Sequence, residues 1–138
     1  MKPRGVLYWL LVAIAAGTAI SGAIQMIRPA FVLGIVHGEA APSSEHFFGI
    51  VGMFMLVFGG MLAHALLGGG DPALVLLWAG LQKLGASAAV ALGVRHHIFG
   101  GAALWIAGFD LLSGILIFVY RASAANESNT QWKAQSGH

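Results

Sequence analysis

Two opposite charges interrupt otherwise uncharged apolar stretches of this chain. Apart from Lys83, residues 72–94 carry no charge, and Lys83 has eleven uncharged residues on each side. Apart from Asp110, residues 98–120 are uncharged as well. A lone charge at the centre of a bilayer is costly, so ionisable residues inside membrane-spanning segments usually pair with each other or serve a function. Lys83 and Asp110 are therefore the strongest candidate site in the sequence.

The spacing of the two charges predicts that they lie at the same depth of a helical hairpin. Lys83 precedes His96 by thirteen residues, and Asp110 follows His97 by thirteen. If the turn is centred between the two histidines, a rise of about 1.5 Å per residue places both charges roughly 20 Å from it. Spacing does not determine the rotation of either helix, so contact between the charges stays open. Gln82 could add a hydrogen bond, although consecutive helical residues point in different directions.

Two interpretations of this pair are open. If the Lys and Asp side chains contact each other, the pair could be a clamp, meaning an ion pair that only holds two helices in register. Alternatively, the pair could be a proton relay, an ion site or the counter-ion of a polar ligand. Transport by so few helices would require a homo-oligomer, because four helices rarely enclose a path alone. We favour the clamp.

A second group of titratable residues is expected on the side of the membrane opposite the termini. It comprises four histidines and one glutamate, namely His37, Glu45, His46, His96 and His97. Imidazole and carboxylate together suit Zn or Cu, so a metal site is one interpretation of this group. The other interpretation is a set of polar loops at the membrane interface. No compact ligand motif such as H-E-x-x-H occurs, which favours the loops.

The composition indicates the class of protein to which these residues belong. Hydrophobic residues make up 58% of the 138 residues and charged residues only 9%, compared with about 25% charged in soluble domains. This number of charged residues is too small to cover the surface of a soluble protein of this size. We therefore predict an integral membrane protein. The net charge of +2 is small and scattered, which argues against nucleic-acid binding. The chain has no cysteine, which excludes disulfides and thiolate metal sites.

We predict an all-α fold, an integral membrane four-helix bundle with antiparallel up-down topology. A spanning helix needs about 20 apolar residues, and four stretches meet this requirement. They are about 5–27, 46–67, 72–94 and 98–120. The apolar segment 30–36, which connects the first two spanning helices, is too short to span and is expected to lie at the membrane interface or to fold back against the bundle. Residues 122–138 form a polar tail that is expected to be disordered.

Local signals mark helix starts and helix contacts. Ser43 or Ser44 is expected to cap the second spanning helix, and Asp71 with Pro72 is expected to begin the third.

Small residues that recur four or eight positions apart permit close helix contact in lipid. These residues are Ala15, Ala19 and Ala23; Gly52 and Gly60; and Gly85, Ala89 and Gly93.

The basic residues predict the orientation of the chain in the membrane. Two of them, Arg28 and Arg95, lie in segments on one side. Four lie on the other side, and these are Lys2, Arg4, Arg121 and Lys133. Because cytoplasmic segments carry the excess of Lys and Arg, both termini are expected in the cytoplasm.

The order of elements resembles a group of small bacterial membrane proteins. A long first helix leaves through Arg28-Pro29, and three closely spaced helices follow that contain the segments HFFGIVG at 46–52 and FDLLSG at 109–114. Over residues 5–121 this pattern resembles DoxX-like and DUF4345-like proteins. The resemblance implies a four-helix protein of the bacterial inner membrane, and no catalytic residue can be carried over from it.

Three functions are compatible with these features. The first is a non-enzymatic structural or accessory bundle in the lipid bilayer, assembled with itself or with a larger membrane complex. The second is an oligomer that handles an ion, a proton or a lipid ligand through Lys83 and Asp110. The third is a membrane enzyme that uses the histidine-rich group as a metal site. The short loops and the lack of a catalytic motif favour the first.

Overall fold

The computed structural model describes residues 5–69 and 71–136, and within these ranges it contains five α-helices and no strand. The helices are α1 (Val6–Ile27), α2 (Pro29–Ile35), α3 (Pro42–Leu67), α4 (Ala73–Arg95) and α5 (Ala103–Ser136). Four are long and apolar enough to cross a membrane, namely α1, α3, α4 and the part Ala103–Asn126 of α5, with mean hydropathies between 1.5 and 2.1. Over the described residues, the prediction of an all-α chain with four helices long and apolar enough to span a membrane is confirmed. Lys2 and Arg4 lie outside the described residues.

Helix α3 begins four residues before the predicted position. Ala41 is the N-cap, with extended backbone angles (φ −135°, ψ 156°), and Pro42 occupies the first turn. Neither Ser43 nor Ser44 is therefore the cap. Instead the Ser44 hydroxyl, in the first turn, accepts the backbone N–H of Ala41 at 2.9 Å and lies 2.8 Å from the Glu39 carbonyl oxygen. Proline needs no hydrogen-bond acceptor at a helix start, which explains the earlier beginning.

The start of α5 is later than predicted, because the chain makes a wider turn after α4. The backbone N–H groups of His97 and Ile98 donate to the carbonyl oxygens of Val94 and Gly93 at 3.0 and 2.9 Å. This pair of bonds is the Schellman pattern that ends many helices. Residues 96–102 form the turn, so α5 begins at Ala103 rather than near residue 98.

The end of α5 also differs from the prediction. We expected residues 122–138 to be disordered, whereas α5 continues as a helix to Ser136. The residues just past the predicted apolar stretch include three alanines, Ala122, Ala124 and Ala125, and alanine is the strongest helix former. In addition, the hydroxyls of Ser123 and Thr130 donate to carbonyl oxygens four residues earlier, at 3.0 and 2.9 Å. Local propensity therefore extends the helix beyond the apolar stretch.

Helices α1 and α3 pack closely along their whole length. At one end the Tyr8 hydroxyl donates to the Leu66 carbonyl oxygen at 2.9 Å, and at the other the Gln25 amide donates to the Phe48 carbonyl oxygen at 2.9 Å. Between these bonds the backbones touch at three glycines. A β-carbon at Gly22, Gly52 or Gly59 would lie within 2.7 Å of backbone atoms of the opposite helix.

The second close pair is α4 with α5. Arg121 donates from Nε to the Ala73 carbonyl oxygen at 3.1 Å, which joins the start of α4 to the far part of α5. A β-carbon at Gly80 would lie 2.7 Å from the Phe118 ring, and one at Gly114 would lie 2.9 Å from the Leu84 side chain. By contrast, a β-carbon at Gly85, which was predicted to lie in a contact stripe, would meet open space.

The α1/α3 pair and the α4/α5 pair meet at an apolar core, with fewer contacts than each pair makes internally. The core draws on all four spanning helices and contains Tyr8, Leu11, Ala15, Leu62, Leu66, Leu76, Ala79 and Ile117. The outward faces carry large apolar side chains, among them Phe54, Trp78 and Leu112, each more than half exposed. Such a surface suits the lipid that surrounds a spanning helix.

Candidate functional site

Lys83 and Asp110 form an ion pair. The Lys83 Nζ atom lies 2.6 Å from Asp110 Oδ1, and the two residues are only 4% and 6% exposed. Lys83 is the eleventh of the 23 residues of α4, so the pair lies at the middle of that helix. The contact that the sequence left open is therefore made, although the turn at residues 96–102 is wider than the one assumed and Asp110 is only the eighth residue of α5.

Close packing of α4 against α5 brings these two residues together. Gly80 and Gly114 each lie about one turn from the ion pair, and the Gly80 carbonyl oxygen lies 3.4 Å from the place where a β-carbon of Gly114 would be. Lys83 Nζ also lies 5.2 Å from the centre of the Phe109 ring, which adds a cation–π attraction. The ammonium is thus held by one carboxylate oxygen and one aromatic face.

A small cavity on the lysine side connects the ion pair with the α1/α3 pair. Its volume is about 10 Å³, and its lining includes Lys83, Gln82 and Thr18. The Thr18 residue is 3% exposed, and its hydroxyl oxygen has no hydrogen-bond partner among the described residues. A space of this size is close to the smallest that one water molecule can occupy, and Thr18, Gln82 and Lys83 are the polar residues of its otherwise apolar lining.

A larger cavity lies on the aspartate side, between the α1/α3 pair and the α4/α5 pair. Its volume is about 120 Å³, and three of its lining residues are polar: Gln25, Gln82 and Asp110. The apolar remainder consists of Val32, Val36, Phe48, Val51, Met55, Ala86, Val90, Phe99, Ala103 and Ile106. Gln82 therefore lines both cavities. Within the described part of the chain, its amide forms no hydrogen bond in the structure.

The outer histidines do not form one group. His37 and His97 line an open groove of about 850 Å³, whereas Glu45 and His46 line a separate depression beside Met26. His96 is exposed at the end of α4. Over residues 5–69 and 71–136, no three His, Asp or Glu side chains lie close enough to hold a metal ion. The Zn or Cu site stays a prediction, and this geometry does not support it.

Two of these histidines have a backbone role instead. His37 and His97 are the two non-glycine residues with positive φ in the described ranges, at 53° and 59°. Each is the first residue past a helix C-cap, where a Schellman turn requires the left-handed region that glycine usually occupies. The Gly100 N–H donates to the Val36 carbonyl oxygen at 2.8 Å, so the turns after α2 and α4 are bonded together.

The sequence reasoning missed two polar residues of the site, Thr18 and Gln25. Both lie on α1, and both are buried, at 3% and 6% exposed. The sequence did contain a signal for them, because each is a polar residue inside the uncharged stretch 5–27. Polar groups buried in a membrane span need partners, which makes such residues candidates for a site. Phe48 and Phe99 were also missed. Their rings lie 6.3 Å apart, between the outer groove and the larger cavity.

Comparison with known proteins adds no family assignment. No protein-family model matches the chain, and no curated protein or solved structure is detectably similar to it.

Proposed function

We propose that this chain is a non-enzymatic structural or accessory bundle of the bacterial inner membrane, with the Lys83–Asp110 pair as an internal clamp. The observation that carries the proposal is the 2.6 Å contact between two opposite charges that are both more than nine-tenths buried. Each charge neutralises the other, so the pair offers no net charge to a transported ion. The placement in the bacterial inner membrane rests on the resemblance to DoxX-like and DUF4345-like proteins.

We further propose that the four spanning helices follow an antiparallel up-down order. The contacts of α1 with α3 support this order, because the residue numbers rise along α1 from Tyr8 to Gln25 while those of their partners fall from Leu66 to Phe48. The contacts of α4 with α5 run in the same opposed sense. Both termini are then on one side, and the excess of basic residues there makes that side the cytoplasm.

Cysteine labelling tests this topology, because the chain has no cysteine of its own. The variants Glu39→Cys, His96→Cys and Ala122→Cys each place one thiol at an exposed position. In right-side-out membrane vesicles, we expect an impermeant maleimide to label the first two and to spare the third. Inside-out vesicles should reverse the pattern. Labelling of Glu39→Cys and His96→Cys from opposite sides would overturn the up-down order.

The environment of this bundle is proposed to be lipid and other membrane chains. Many large apolar side chains point outward from the spanning helices. In addition, a β-carbon at Gly17, Gly60 or Gly85 would meet open space, so these positions leave room for close approach. This surface is compatible with a homo-oligomer or a larger membrane complex.

Reconstitution separates the clamp from proton or ion handling. We expect purified protein in liposomes loaded with a pH-sensitive dye to conduct no more protons than protein-free liposomes under an imposed pH gradient and K⁺ diffusion potential. The variant Lys83→Met/Asp110→Leu should behave identically, because an apolar pair of similar volume replaces a pair with no transport role. A proton flux in the wild type that disappears in this double variant would contradict the proposal and favour a relay.

A further inference from the structure

The cavity of about 120 Å³ beside Asp110 differs from an ordinary packing defect. It is bounded by all five helices, and it lies where the α1/α3 pair and the α4/α5 pair diverge. Packed interiors contain few voids larger than a water molecule. Cavities of roughly 150 Å³ can admit a benzene ring. The space is therefore close to the size of one small aromatic molecule.

Three polar side chains line the cavity, Asp110, Gln82 and Gln25, and the Gln25 amide already donates to the Phe48 carbonyl oxygen at 2.9 Å. Asp110 is 6% exposed, and its carboxylate contacts Lys83 through Oδ1. Gln82 lines the same cavity and is partly exposed; its amide carries two N–H donors and one acceptor oxygen and forms no hydrogen bond to the described residues. A ligand group that both donates and accepts can bond to the Asp110 carboxylate and to the Gln82 amide.

The ion pair determines which charge such a ligand can carry. Lys83 already compensates the negative charge of Asp110 at 2.6 Å. A cationic ligand would have to displace the lysine and leave it buried without a partner, and an anionic ligand would meet Asp110. A neutral hydroxyl group avoids both costs, because it donates to the carboxylate and accepts from the amide.

The apolar part of the cavity indicates where the ligand enters. Ile106 lies at its rim and is 38% exposed on the outward face of α5, whereas Val51, 49% exposed, also lines the outer groove. On another side the rings of Phe48 and Phe99, 6.3 Å apart, separate the cavity from the outer groove. The open side thus faces the bilayer, which suits a molecule that partitions into lipid.

We propose that this cavity binds a neutral, hydroxyl-bearing aromatic or similarly compact apolar molecule that enters from the bilayer. The hydroxyl group bonds to Asp110 and Gln82, and the apolar body packs against Met55, Ala86 and their neighbours. This binding site goes beyond the structural role of the ion pair, which stays intact when the ligand is bound.

Methionine-methyl NMR on the purified protein in detergent micelles tests this binding. Met55 lines the cavity, whereas Met61, on the same helix, does not line it and is 37% exposed. With phenol as the probe, we expect the Met55 methyl resonance to shift to saturation. The Met61 resonance should shift weakly and linearly, which reports partition of phenol into the micelle. Parallel linear shifts of both resonances would overturn the proposal.

Two comparisons distinguish hydroxyl recognition from simple filling of a void. Toluene is close to phenol in size but has no hydroxyl, so we expect its saturable binding, corrected for partition, to be about tenfold weaker or more. The variant Gln82→Leu should reduce phenol affinity part of the way towards that of toluene, because only the bond to Asp110 then remains. Equal saturable binding of phenol and toluene in the wild type would overturn the assignment of Asp110 and Gln82 as the recognising groups.

A matched pair of variants on α4 locates the bound molecule. Ala86→Leu places three additional carbons in the cavity and should abolish the saturable Met55 shift. Ala88→Leu makes the same change at an exposed position of the same helix and should leave the shift unchanged. Saturable binding that survives Ala86→Leu would place the ligand elsewhere and overturn the proposal.

Discussion

Lys83→Met is expected to destabilise the protein by about 3–5 kcal/mol, and Asp110→Leu by a similar amount. Either substitution removes one member of a buried ion pair. The charge that remains, Asp110 on α5 or Lys83 at the middle of α4, then has no partner. A stranded charge costs much more than the pair contributes, because its desolvation is no longer offset. The measurement is the free energy of unfolding in mixed micelles, taken from equilibrium titration with a denaturing detergent.

The double variant Lys83→Met/Asp110→Leu completes a thermodynamic cycle. We expect it to be more stable than either single variant, because it buries no charge and keeps similar side-chain volumes. Arg95→Met serves as the control, since Arg95 is an exposed cation on the same helix and its loss should change stability by less than about 0.5 kcal/mol. Additive losses in the double variant would mean that the two charges do not depend on each other, and the clamp would be refuted.

The second large effect is expected where α1 and α3 touch through glycine. A β-carbon at Gly59 would lie 2.5 Å from the Ala19 backbone nitrogen, and one at Gly52 would lie 2.6 Å from the Met26 backbone nitrogen. These neighbours are backbone atoms of a helix, so they cannot move aside as a flexible side chain can. We expect Gly59→Ala and Gly52→Ala each to cost about 1–3 kcal/mol, the range for overpacked cores.

Gly60 provides a control one residue away. A β-carbon there would meet nothing within 4 Å, so Gly60→Ala should be neutral or stabilise the helix by up to about 1 kcal/mol. The same unfolding titration compares the two adjacent positions directly. If Gly59→Ala and Gly60→Ala had equal effects, the contact surface of α3 would not be the one described here, and the register of α1 against α3 would be refuted.

These two glycines also show where sequence reasoning reached its limit. The four- and eight-residue spacing of small residues paired Gly52 with Gly60, whereas the structure places Gly52 and Gly59 against α1 and leaves Gly60 exposed. Gly85 and Ala89 likewise lie outside the helix contacts predicted for them. A pattern of small residues indicates that a helix can approach another closely. It does not specify the rotation of that helix, which depends on the shapes of both partners.

The histidines illustrate the same limit for chemistry. His37 and His97 were candidates for a metal site because of their side chains, yet their positive φ values show that the backbone at each position closes a helix. Glycine is the usual signal for that conformation, and it is absent at both positions. Nothing local to the sequence therefore distinguished a helix-terminating histidine from a metal-ligating one.

The sequence by itself determined which segments are long and apolar enough to span a membrane, because hydropathy and length are local properties that need no knowledge of neighbours. Only the tertiary structure decided that Lys83 meets Asp110, that Gln82 lines two cavities instead of joining the pair, and that Thr18 and Gln25 reach the same region from α1. These outcomes depend on how each helix is rotated about its axis. That rotation is set by the close contacts of both helix pairs together, and no single segment contains it.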